Sequence, residues 1–154
     1  MTKSLIETML ESVKLGIVGS EAAKFTPRTE GLARLVIHDL IQKYNPDIII
    51  SGGCHLGGID KWAIEGAEIA EIGFIEYLPK TRNWEGGYKE RNLRIARNSD
   101  IVVCITVKEL PSNYTGMRFK MCYHCKTDTH VKSGGCWTVK EAKKLGKRTE
   151  VIVI

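Results

Sequence analysis

Apolar residues fall into two alternating patterns along the chain. Short continuous runs at Lys14 to Val18, Asp47 to Ile50, Gly73 to Leu78, Ile101 to Thr106 and Thr149 to Ile154 predict five strands, most of them buried on both faces. Between them lie longer stretches with helical spacing. Thr26 or Thr29 can start a helix through Leu32, Leu35, Val36, Leu40 and Ile41, which Asn45-Pro46 ends. Gly58 to Ile72 carries Ile59, Trp62, Ala63, Ala67 and Ala70 on one face, and Gly87 to Asn98 carries Leu93, Ile95 and Ala96. Trp137 to Leu145 carries Val139, Ala142 and Leu145 and closes at Gly146. Residues Ser4 to Ser12 predict a short leading helix. Strands alternating with helices predict an α/β domain, a doubly wound and mostly parallel five-stranded sheet with helices on both faces. Lys108 to Lys132 breaks the alternation, being longer than an ordinary connection, and loops of that length are commonly functional or internally braced.

The turns after the strands carry the candidate chemistry. The first strand ends in Gly16-Ile17-Val18-Gly19-Ser20, at the carboxyl edge where doubly wound sheets bind ligands. The tetrapeptide Ser-Gly-Gly-Cys follows at residues 51–54, after the second strand, and recurs at residues 133–136, ahead of the helix expected near Trp137. Glycine brings main-chain N–H groups close to a ligand, and a helix N-terminus adds partial positive charge, so both copies suit a phosphate. Gly19, Ser20, Ser51, Gly52, Gly53, Gly58, Ser133, Gly134 and Gly135 are therefore candidate ligand residues, and Asp60 either contacts the ligand or caps its helix. Neither the dinucleotide fingerprint Gly-x-Gly-x-x-Gly nor the Gly-Lys-Ser/Thr of a P-loop is present. Trp84 and Tyr88 flank Gly86-Gly87 and can stack on a base or pack on the protein.

Three motifs in order resemble one superfamily: Gly58-Ile59-Asp60 after the first glycine pair, Arg91-Asn92 with Arg94-Ile95-Ala96, and the late Gly134-Gly135-x-x-Thr138 helix start. They resemble the Rossmann-like superfamily of the DNA-processing protein DprA (Smf) and the Lonely Guy phosphoribohydrolases, over about residues 14 to 154. The hydrolase signature Gly-Gly-x-Gly-Thr-x-x-Glu is matched at Gly134, Gly135, Thr138 and Glu141, with Trp137 in place of the third glycine; Asn92 stands where an Arg-Lys pair has its lysine. The resemblance implies a nucleotide-binding protein, frequently a homodimer, with hydrolysis of a nucleoside 5'-monophosphate to free base as the expected reaction. In that reaction Glu141 stabilises the cationic ribose or positions water, while Arg91, Asn92, Gly134, Gly135 and Thr138 hold phosphate or ribose. The alternatives are a noncatalytic nucleotide-sensing module, favoured by Trp137 and Asn92, and a DprA-like nucleic-acid-binding protein.

Cys122-x2-Cys125-x4-His130-x5-Cys136 offers soft ligands at nearly zinc-knuckle spacing. The expected cofactor is a structural zinc ion bracing residues 108–136, with His124 or Cys54 as alternatives to Cys136. Cys104 reads as core. At 154 residues and 43% hydrophobic composition, the chain suits one domain over residues 1–154. No apolar run approaches a membrane span, and Glu7 and Glu11 interrupt any leader core, so a cytoplasmic protein is expected. The net charge of +5 is densest in the last third, which suits a phosphorylated ligand or nucleic acid.

Overall fold

The computed structural model describes residues 12–154, so the leading helix expected over Ser4 to Ser12 lies, Ser12 apart, outside the described residues. Five strands form one parallel sheet: β1 (Lys14–Gly19), β2 (Ile48–Gly52), β3 (Gly73–Tyr77), β4 (Ile101–Thr106) and β5 (Arg148–Val153). Their spatial order is β3-β2-β1-β4-β5. Four α-helices among the described residues cover it: α1 (Pro27–Tyr44), α2 (Ile59–Ile69), α3 (Lys89–Asn98) and α4 (Gly134–Lys144). The architecture is a Rossmann-like α/β fold.

Alternation along the strands supplies two cores. Leu15 and Ile17 of β1, Ile49 of β2, and Val103 and Ile105 of β4 face α1 and α2, against Ile37, Leu40, Ile59 and Trp62. Val18, Ile50, Val102 and Cys104 face the other way, against Ile95 of α3 and Cys136, Val139 and Ala142 of α4. Each fully buried Ile or Leu contributes roughly 1.5–3 kcal/mol of transfer free energy, so neither face tolerates a polar strand residue without a bonding partner.

Local chemistry sets the ends. Thr26 is the cap of α1: its hydroxyl accepts from the Thr29 N–H at 3.1 Å, while the Thr29 hydroxyl accepts from the Thr26 N–H at 2.8 Å. Asn45, in the left-handed region, stops the helix. Two boundaries differ from the sequence reading. The helix expected from Gly87 begins at Lys89, because Trp84–Tyr88 forms a separate π-type turn in which Gly86 has φ 77°. α4 begins at Gly134, not near Trp137, because Ser133 caps it by accepting from the Gly135 N–H at 3.2 Å.

The long connection from β4 to α4 holds no α-helix and is braced in other ways. Cys122 and Thr127 pair as a small antiparallel hairpin with Lys126 in the left-handed region, and the Val131 N–H donates to the Val107 carbonyl at 3.0 Å. No helix among the described residues is long and apolar enough to cross a membrane.

Candidate functional site

The sheet order reverses at β1, from which the chain crosses to β2 on one side and later returns to β4 on the other, so a crevice opens beyond their carboxyl ends. A cleft of about 360 Å³ occupies this place. Its floor is Val18, Gly19 and Ser20, and the Ser20 hydroxyl bonds the Thr106 hydroxyl at 2.9 Å, tying the ends of β1 and β4 together. Gly134, Gly135 and Thr138 bring in the N-terminus of α4, and α3 contributes Arg91, Asn92 and Ile95.

Close approach explains Gly135. A Cβ there would lie 2.8 Å from the Cys104 sulfur and 2.9 Å from the Gly19 nitrogen, so glycine lets the start of α4 rest on β1 and β4. A Cβ at Gly134 would meet nothing within 4 Å, so its backbone borders open space. Trp84 and Tyr88 form an aromatic wall, and Trp84 is held edge-on against Trp137 at 4.7 Å between ring centroids.

Two buried polar atoms in the cleft lack hydrogen-bond partners: the Thr138 hydroxyl and Nη1 of Arg91. Such groups are unusual in folded proteins, because an unpaired buried donor or acceptor costs about 1–3 kcal/mol. Arg91 is otherwise well placed. Its Nε donates to Asn92 at 2.7 Å, its guanidinium lies over the Tyr88 ring, and Nη1 stands 3.9 Å from the Asp60 carboxylate. Burial pushes the Asp60 carboxyl up to about 7, against the opposing pull of the Arg91 charge and the Ser51 hydroxyl.

Two lysines complete the electropositive end. Lys24 and Lys132 both border the cleft, and the Lys24 ammonium donates to the Lys132 carbonyl at 2.8 Å. Burial and the neighbouring Lys132 charge lower the Lys24 pKa. No carboxylate forms an ion pair with either lysine among the described residues.

Of the residues singled out in the sequence, Gly19, Ser20, Asp60, Arg91, Asn92, Gly134, Gly135 and Thr138 line this cleft. The others lie elsewhere. Ser51 is fully buried and donates to the Ile17 carbonyl at 2.6 Å, while Gly52 and Gly53 border a neighbouring recess with Glu76 and Leu78. Gly58, with φ 90°, turns the chain against the backbone of Ser20 to Ala22. Ser133 is the buried cap of α4. Glu141 stands about two turns into α4 and not near its start, ion-paired with Lys144 at 3.0 Å, and is not among the cleft residues. Lys24 and Lys132 escaped the sequence reading as cleft residues because only the fold joins positions 108 apart.

Behind the α4 wall, Cys122, Cys125, His130 and Cys136 place one ligand atom each within 4.8 Å of one another. A tetrahedral ion with bonds of 2.0–2.3 Å requires separations of about 3.4–3.8 Å, so this donor set can hold a metal with small side-chain adjustments. The surroundings suit one. His130 Nδ1 bonds the Val131 carbonyl at 2.8 Å, which leaves Nε2 for a metal. Burial raises the Cys122 thiol, but backbone N–H donation from Ser133, Cys125 and His124 outweighs it and the net shift is downward, toward the thiolate that binds metal. The other two cysteines are raised: Cys136 first by its hydrogen bond with Cys104, 3.9 Å away, and Cys125, to about 12, first by burial. Of the alternative ligands, Cys54 borders the cleft, and His124 packs its ring against Tyr123.

No family model and no curated protein matches this sequence. Solved structures do. The molybdenum cofactor carrier protein of Chlamydomonas reinhardtii superposes with a TM-score of 0.58 at 17% identity, over 92% of this chain and 76% of that one. A further structure of the Moco carrier protein from the same organism gives 0.58 and 17%, over 94% and 78%. A third gives 0.56 and 16% over the same shares. At such identity the likeness is one of fold, and the chain shares with these carrier proteins a Rossmann-like parallel sheet.

Proposed function

We propose that this protein is a noncatalytic binding or carrier protein for a phosphorylated small molecule with a flat ring. The observation that carries the reading is a pair of buried polar atoms without a hydrogen bond, Thr138 Oγ1 and Arg91 Nη1, the latter with only its 3.9 Å ion pair to Asp60, in a cleft at the N-terminus of an eleven-residue helix. A phosphate at that end accepts from the N–H groups at the start of α4, from Thr138 and from the nearby lysines, and the ring lies against Trp84 and Tyr88. Ser20, Asp60, Arg91 and Asn92 then take the polar groups between them. The order of the motifs supports membership of the DprA and Lonely Guy superfamily, and the fold shared with molybdenum cofactor carriers makes that cofactor a ligand to test beside nucleoside monophosphates. The Cys122, Cys125, His130 and Cys136 set is proposed to hold zinc, in a structural role, because four protein ligands fill a tetrahedral shell and leave no open position.

Binding is favoured over hydrolysis by the engagement of the carboxylates. Glu141 is committed to Lys144, Glu21 accepts from the Tyr114 hydroxyl at 3.1 Å, and Asp60 faces Arg91. One observation favours phosphoribohydrolysis as a second reading: Asp60, held near 7 inside the cleft, has the proton affinity of a general acid. The deciding experiment titrates the protein with guanosine 5'-monophosphate, inosine 5'-monophosphate and the molybdenum cofactor by tryptophan fluorescence, and assays each nucleotide mixture for free base. Saturable quenching with no base released supports the carrier, with Glu141→Gln binding as tightly as the unaltered protein. Base release abolished by Asp60→Asn transfers the support to the hydrolase, and no quenching by any ligand refutes both.

A further inference from the structure

The segment from His130 to Cys136 has two faces, and both are occupied. On one face, His130 and Cys136 are two of the four potential metal ligands, beside Cys122 and Cys125. On the other, Lys132 and Gly134 border the cleft, and the Lys132 carbonyl accepts from the Lys24 ammonium at 2.8 Å. The hairpin around Cys122 also holds the Lys132 side chain directly, since its ammonium lies 5.4 Å from the Phe119 ring centroid and 5.5 Å from that of Tyr123.

The two ends of this segment are held unequally. Its later end is seated on β4, where Cys104 Sγ lies 3.7 Å from the Ser133 hydroxyl and 3.9 Å from Cys136 Sγ, while His130 to Lys132 meets the strand end through the Val131 N–H to Val107 carbonyl bond. A stretch such as His130 to Lys132, with few main-chain bonds, opens locally at low cost, and a tetrahedral ion adds restraint there.

We propose that metal binding at Cys122, Cys125, His130 and Cys136 builds the anion end of the cleft, with Lys24 and Lys132 as the residues that select a phosphate, so that ligand and metal bind with positive coupling. The inference rests on the phosphate-binding reading above. The metal fixes His130 and Cys136, and these fix Lys132 and the first turn of α4 between them. Lys24 is then anchored through the Lys132 carbonyl at the border of the cleft. Without the metal, the two lysines and the helix start no longer share one geometry, and a ligand must meet the ordering cost itself. Coupling is reciprocal, so a bound phosphate must tighten the metal by the same factor.

The test uses the full chain and guanosine 5'-monophosphate as probe. In zinc-loaded protein the nucleotide affinity is measured by calorimetry, and zinc affinity is measured by competition with a chromophoric chelator, with and without saturating nucleotide. The expected result is a zinc affinity raised about ten- to hundredfold by the nucleotide, the scale of one or two hydrogen bonds between charged groups. Zinc-stripped protein should bind the nucleotide more weakly by the same factor. Lys24→Gln and Lys132→Gln in zinc-loaded protein should each weaken the nucleotide about tenfold or more while retaining zinc affinity in its absence. Far-ultraviolet dichroism of the stripped protein is recorded alongside, because a stripped chain that unfolds would give the same coupling: retained dichroism supports local ordering of the anion end, and its loss overturns that account. Tight nucleotide binding with an unchanged zinc affinity overturns the coupling and leaves the binding reading standing; loaded protein that binds neither a nucleotide nor the molybdenum cofactor overturns both.

Discussion

Replacing Gly135 by alanine separates close packing from ligand contact at the start of α4. The new methyl would sit 2.8 Å from Cys104 Sγ, 2.9 Å from the Gly19 nitrogen and 3.1 Å from the Gly19 Cα. Ordinary contact needs about 3.5–4.0 Å, so the first turn must move away from β1 and β4 by roughly an ångström. Cys104 and Gly19 lie in the sheet, β1 and β4 are paired from Leu15 to Gly19, and neither can yield cheaply. Overpacking of this kind costs about 1–3 kcal/mol, and alanine returns at most about 1 kcal/mol in helix propensity, less in a first turn. A net loss of about 1–2 kcal/mol is expected, read as a lower urea midpoint at unchanged m and a melting temperature lower by about 2–8 °C. Gly134→Ala is the internal control. Its methyl meets nothing within 4 Å, so the same bookkeeping gives a gain of up to about 1 kcal/mol. Its position on the cleft predicts weaker binding of a phosphate probe in a protein of undiminished stability. Equal stability for the two variants, or a Gly135→Ala protein at least as stable as the unaltered one, would refute the packing argument.

Three further outcomes follow from the same geometry. Thr138→Val replaces an unpartnered buried hydroxyl by an isosteric methyl, so stability should hold or rise by about 1 kcal/mol in urea melts while phosphate affinity falls; a loss of stability would mean that the hydroxyl has a partner in the free protein. Asp60 has a folded pKa of about 7 against an ordinary 3.8, so the folded state binds the extra proton between those values and stability falls as pH rises through that window. Asp60→Asn cannot ionise, so its stability relative to the unaltered protein should climb by on the order of a few kcal/mol from pH 4 to 7 and then level off, and a pH-independent difference would contradict the burial. Protein prepared without chelator should carry about one equivalent of zinc, and chelation, by loosening the loop, should speed trypsin cleavage at the already exposed Arg118, Lys120 and Lys126 while far-ultraviolet dichroism is largely kept; zinc below about half an equivalent would count against the site.

The two Ser-Gly-Gly-Cys tetrapeptides show what local sequence can and cannot specify. The buried apolar runs announced β1, β2 and β4 because a parallel strand covered on both faces has little choice of residue, and the turn at Gly19-Ser20 placed the cleft at the correct sheet edge. The identical tetrapeptides, however, do different work. Ser51 ends a central strand and turns its hydroxyl back to the Ile17 carbonyl, whereas Ser133 follows the long connection and caps a helix. Their neighbours decide between these roles, β2 having partners on both sides and α4 having a carboxyl-edge cleft ahead of it, and neither fact is written within four residues. The same holds for Lys24 and Lys132, which a charge count treats as two solvated cations. A signal was present: Lys132 lies between His130 and Cys136, so any ion that gathers those ligands also holds this lysine within a short, fixed span. A knuckle-like spacing that encloses a basic residue and runs directly into a glycine-rich helix start therefore reads as more than a brace. It ties the placement of a charge to the presence of a metal, and that tie depends on the separation of His130, Lys132 and Gly134 along the chain as much as on the fold around them.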